Sequence, residues 1–284
     1  LYEAALAKFG GEQSLAHAWA LLRFAEYVDY CEYARQARSM ADQAAGNGDA
    51  GKAQALVLKG RSRVLEACLD QGNWHDPRDD DDNDEGGSGD AAAGGAQRQI
   101  AGEQALRQGL GELAEGLRLL GGTGAGAQTV ASTVAALAAR HERRALCGPL
   151  RLAMMDTALA LAHGSLGWDA GGGAGSAPDA DGLAFVACKA AVYWALAASE
   201  CAASGSDIEA RTGPAVAYLA AATADAECCK LHAQILIVLS GTLDDEDAAI
   251  GAFDAAVAAL ERARQLDPSD MDVASQLEDL GVSA

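Results

Sequence analysis

Carboxylates are the densest chemical resource in this chain of 284 residues. Asp80-Asp81-Asp82-Asn83-Asp84 contains an Asp-Asp-x-x-Asp spacing, which can hold Mg2+ and, through it, a diphosphate. That chemistry needs carboxylates on a rigid helix lining an apolar cavity, whereas these lie between Pro77 and Gly86-Gly87, among Asp76, Asp79, Glu85 and Asp90. A solvated acidic segment is therefore expected, and an all-α Mg-dependent enzyme using this run is the alternative function. The same run sets Asp81, Asn83, Glu85 and Gly86 at calcium-loop positions, but Ala92 stands where the loop requires a bidentate glutamate. Cys228 and Cys229 lie four and three residues before His232, a spacing at which one helix face can offer two ligands to a soft metal. No second pair follows at ligand spacing, so packed thiols beside a hydrogen-bonded histidine are expected and no metal site is assigned. His141-Glu142 begins like a zinc-protease helix, yet Ala145 occupies the place of the second histidine. The run Gly121 to Gly126 precedes a helix without a strand before it or a Gly-Lys-Ser/Thr after it, which makes it a linker. With no serine in a Gly-x-Ser-x-Gly elbow, the reading assigns no catalytic residue and no cofactor and takes the chain not to be an enzyme.

The cations are scarcer and more suggestive. Against a formal charge of −20 and a pI near 4.5, two basic islands remain, one at Arg35, Arg38, Lys52, Lys59, Arg61 and Arg63, the other at Arg140, Arg143, Arg144 and Arg151. Guanidinium clusters grip carboxylates, so Arg35, Arg38, Lys59, Arg61, Arg63, Arg140, Arg143 and Arg144 are assigned as partner-binding residues, suited to an acidic peptide segment of a protein partner. The competing expectation is a solvated face neutralised by the chain's own aspartates. The net negative charge opposes direct binding to nucleic acid or to an anionic membrane.

These residues must be positioned by helices. Half of the residues are hydrophobic but only 5% are aromatic, so alanine and leucine dominate, and alanine is the best helix former. Ser14 caps an expected helix to about Ala45, with Leu15, Trp19, Leu22 and Val28 as its stripe and Tyr27, Tyr30 and Tyr33 along it. Gly46-Asn47-Gly48 ends it, and Asp49 starts a second helix through Leu69 to Gln71, making a helical hairpin. Residues 74–95 read as a disordered acidic insertion. Helix resumes near Gln97 through Leu106, Leu110, Leu113, Leu117 and Leu120, weakened by Gly102, Gly109, Gly111 and Gly116. Further helices are expected at Gln128 to Cys147, from Pro149 to Gly164, and from Leu183 to Ala203. Pro214 opens a stretch to Leu239 that contains an unplaced break; Glu246 to Leu266 and Asp270 to Leu280 follow. Residues 167–182 read as a disordered Gly-rich insertion.

Seven cysteines, an odd number with no Cys-x-x-Cys, point to reduced thiols in the cytosol or nucleus. No run approaches about 18 uninterrupted apolar residues, so no membrane span is expected. The chain opens at Leu1 in what reads as mid-helix, and a preceding part is where any targeting signal would lie.

The last unit, Ala248 to Gly281, shows how such helices pack. Ala256, Leu260 and Ala263 share one face, and Leu266-Asp267-Pro268 stops the helix. This small, large, small spacing before proline resembles the second helix of a tetratricopeptide (TPR) repeat, and Leu15 to Cys31 with Gly48 to Cys68 resembles a TPR-type hairpin. The resemblance implies an all-α fold, an irregular TPR-like α-solenoid of about five antiparallel helix pairs over residues 1–284, working as a non-catalytic adaptor. The irregular pairs, the acidic insertion and the ending Leu266-Asp267-Pro268-Ser269-Asp270 with Gln276-Leu277-Glu278-Asp279-Leu280-Gly281 are also similar to the fungal enhancer of translation termination family. That similarity implies a nuclear adaptor that promotes translation termination and sequesters a prolyl dioxygenase.

Overall fold

The computed structural model describes residues 15–28, 30–44, 49–72, 89–120, 124–142, 148–168 and 182–282. Among them every regular element is an α-helix: α1 (Leu15–Val28), α2 (Cys31–Ala44), α3 (Asp49–Gly72), α4 (Gly89–Leu120), α5 (Gly124–Glu142), α6 (Gly148–Leu166), α7 (Leu183–Glu200), α8 (Gly205–Ala221), α9 (Ala226–Ser240), α10 (Glu246–Leu266) and α11 (Met271–Asp279). They fall into two compact units, α1 to α4 and α5 to α11, divided within α5 between residues 126 and 127.

In the first unit the expected helix from Ser14 to Ala45 is two helices. The stripe Ala18, Leu21, Leu22 and Ala25 is buried on α1, and its continuation would carry Asp29 and Glu32 into the core. Burying such charges unpaired is costly, so the chain breaks after Val28 and α2 buries a new stripe, Ala34, Ala37 and Ala41. Leu58 and Leu65 of α3 complete that core. Helices α2 and α3 run antiparallel, since Asp42 near the end of α2 meets Lys59 while Arg38 meets Glu66 further along α3.

Helix α4 starts at Gly89, so residues 89–95 of the expected insertion are helical; Ala91-Ala92-Ala93 supply the propensity. Its interior glycines have a packing role. A Cβ at Gly60 of α3 would lie 2.5 Å from the carbonyl oxygen of Gly109, and one at Gly116 would lie 2.8 Å from the amide nitrogen of Val57. The two backbones touch where no side chain fits, and the antiparallel α3 and α4 are held at that distance. The rest of the acidic insertion, with its aspartate run, lies outside the described residues.

The second unit is built around α7, which packs on α6, α8 and α9. Eleven of its eighteen residues are buried, among them Ala187, Cys188, Ala191, Val192, Ala195 and Ala198. By length and composition α7 could cross a membrane; here its apolar surface is mostly covered by its own neighbours, as a central helix requires. From α6 to α10 successive helices alternate in direction. Arg151 at the start of α6 pairs with Glu200 at the end of α7, and Gly205 at the start of α8 abuts the backbone of Thr242 just after α9. Arg262 near the end of α10 donates from Nε to the carbonyl of Thr223, just before α9.

Each of α8 to α11 begins at a side-chain cap. Ser204, Asp225, Asp245 and Asp270 accept from the amides of Asp207, Cys228, Ala248 and of Asp272 and Val273, respectively. The Ser204 cap starts α8 nine residues before Pro214 was expected to open it, and Pro214 lies inside the helix. The unplaced break falls between Ala221 and Ala226, where Asp225 restarts the chain as α9. Helix α10 has the expected bounds and buries Ala256, Leu260 and Ala263 completely. Of the Gly-rich insertion, residues 169–181 lie outside the described residues.

Candidate functional site

The first basic island becomes a set of cross-links between helices. Arg61 of α3 has a side chain only 1% exposed and meets Glu26 of α1 in bidentate fashion, Nη2 lying 2.6 and 2.8 Å from the two carboxylate oxygens and Nε 3.1 Å from one. Its guanidinium also stands 5.3 Å from the ring centre of Trp19. Glu66 of α3 receives Arg38 of α2 at 2.5 Å and Arg35 at 3.7 Å. Lys59 reaches Asp42 of α2 at 2.6 Å, and Arg63 reaches Glu112 of α4 at 3.0 Å. A planar guanidinium matches a carboxylate at two points, which suits it to fixing one helix against the next.

Five of the eight assigned residues thus converge on α2 and α3 and face carboxylates of the same unit. Arg35 is the most exposed among them, with 43% of its side chain accessible, and it also lies 3.5 Å from Glu32 one turn away. Arg140 belongs to the other unit and is buried on α5, while Arg143 and Arg144 lie outside the described residues. Arg151 pairs with Glu200. Sequence reasoning named the cations and missed Glu26, Glu66, Glu112 and Asp42. Each sits on a neighbouring helix, at a register that one-dimensional spacing does not carry.

Cys228, Cys229 and His232 occur where α9 enters its core. Burial first, and the adjacent Asp225 carboxylate second, push the Cys228 thiol up to about 11. Burial likewise raises Cys229 and lowers His232. Without a metal, such thiols are protonated at neutral pH and pack as small apolar groups. Among the described residues no group of three or more His, Cys, Asp or Glu is placed to hold a metal ion.

Near the break between α1 and α2 the surface is aromatic. Tyr27 is 84% exposed and Tyr30 about half exposed, while Tyr33 packs its ring 5.1 Å from Tyr30 and 5.3 Å from Phe24. Beside them Arg23 pairs with Glu26. Comparison of the chain with protein-family models, with curated proteins and with solved structures gave no match.

Proposed function

We propose that this chain is a non-catalytic, TPR-like helical-repeat adaptor that holds a protein partner through an acidic peptide segment. The observation that carries the reading is the repeated construction within each unit: α2 with α3 and α3 with α4, and α6 with α7, α8 with α9 and α9 with α10, lie antiparallel, and α1 with α3 and α7 with α9 also meet across the intervening helix. Stacked hairpins of this kind expose long helical faces and suit extended binding better than enclosed chemistry. The buried face of Ala256, Leu260 and Ala263 in α10 supports the TPR-like reading, in which about five pairs make a solenoid. A nuclear role in regulating translation termination, with a prolyl dioxygenase among its partners, is the specific form of this proposal.

Arg38, Arg61 and Arg63 hold helices together, so reversing their charge would abolish binding by unfolding the unit and would not test recognition. The decisive variant reverses Arg35 and the exposed Lys52 to glutamate and is compared with Tyr27→Ala/Tyr30→Ala, because exposed tyrosines commonly anchor interfaces. Affinity capture with mass spectrometry is expected to return specific partners that the Arg35→Glu/Lys52→Glu variant loses while keeping its helical circular dichroism. An unchanged partner list would refute recognition through this island.

A further inference from the structure

Helix α6 ends in a left-handed turn at Gly167, with φ at 66°, and the amide of Trp168 donates to the carbonyl of His163 at 3.0 Å. This reverse bond folds the indole back onto the last turn of its own helix. There the Trp168 ring lies 5.5 Å from the His163 imidazole and 5.7 Å from the Tyr218 ring of α8, and Trp168 is buried.

His163 is held in an environment that favours its neutral form. Its Nε2 is buried with no hydrogen-bond partner among the described residues. Burial first, and the nearby positive charge of Arg211 on α8 second, bring its pKa from 6.5 to about 4. Asp156, two turns earlier on α6, is held by Arg211 at 2.8 Å. On α7, Glu200 is paired with Arg151 at the start of α6, and Lys189 stands over the Tyr193 ring.

We propose that His163 and Trp168 form an acid-released latch, in which a neutral imidazole under the indole keeps Trp168 docked between α6 and α8 and a proton taken from solvent expels it. A charged imidazole is stabilised by water, and departure of the indole opens more of the half-buried ring to it. The sign follows from the depressed value: docking is at full strength above pH 6.5 and weakens as pH falls toward about 4. The undocked population therefore rises as pH falls below 6.5 toward about 4.

The test is 19F NMR on the full chain labelled with 5-fluorotryptophan, the Trp168 resonance being assigned by its loss in Trp168→Phe. Between pH 7 and pH 4.5 that resonance is expected to move to a solvent-exposed position and to broaden with a soluble paramagnet, while the Trp194 resonance stays in place. His163→Leu should abolish the movement, with His163→Gln as the substitute if the leucine variant does not fold. The same pH profile in the His163 variant overturns the proposal, as does a Trp168 resonance that never moves. Joint movement of Trp168 and Trp194 also overturns it, because that would report unfolding of the whole unit.

Discussion

A buried guanidinium must be answered by charge, and for Arg61 the answering group is Glu26. Removing one partner of such a pair leaves the other uncompensated, so Glu26→Ala should cost about 3–5 kcal/mol, read as a lower urea midpoint. Replacing both, as Arg61→Met/Glu26→Leu, should recover most of that loss, because an apolar pair of similar volume needs no desolvation. The Arg118–Glu115 pair on α4 is the control: both side chains are largely exposed, and Glu115→Ala should leave the midpoint where it was. A second residue carries backbone strain. Ala202 closes α7 with φ at 57°, its amide donating to Ser199 and that of Ala203 to Ala198. A Cβ in the left-handed region is disfavoured, so Ala202→Gly should raise stability by about 1 kcal/mol in the same assay.

Between elements, the glycines of α3 and α4 divide by what surrounds them. At Gly60 and Gly109 an added Cβ would meet the facing helix backbone, 2.5 and 2.9 Å from the nearest carbonyl oxygen, so the helices would have to separate. Gly109→Ala should therefore lower stability by about 1–3 kcal/mol. Gly111 lies on the same helix with nothing within 4 Å, and Gly111→Ala should raise stability by about 1 kcal/mol through helix propensity alone. Opposite signs from one chemical change on one helix would establish that close approach, and not flexibility, explains the buried glycines. In the second unit Leu260 is fully buried between Ala256 and Ala263, and Leu260→Ala should cost about 2–5 kcal/mol.

For the molecule as a whole, the division into two units makes a prediction about cooperativity. Trp19 reports on the first unit and Trp194 on the second. In variants carrying Trp19 or Trp194 as the sole tryptophan of the four, Gly60→Ala should shift the denaturation midpoint seen by Trp19 and leave that seen by Trp194 unchanged, while Leu260→Ala does the reverse. Coincident shifts in both reporters would show instead that the chain unfolds as one. The charge of −20 acts on both units, since like charges repel most in the compact state, and moderate salt should raise both midpoints.

The sequence by itself determined the helical class and much of the punctuation. Alanine and leucine at helical spacing have no competing strand pattern, and local stops at Gly46 to Gly48, Pro268 and Asp270 placed α3, α10 and α11 within a residue or two. The paired small residues at Ala256 and Ala263 were legible because a helix face is a local property of spacing. What the tertiary structure decided are the matters that depend on a neighbour: the break after Val28, glycines that serve contact, carboxylates that claim the basic island, and Trp168 folded onto His163. A side chain's partner across two helices is set by packing distance and register, and neither quantity is written in the order of residues along one strand of chain.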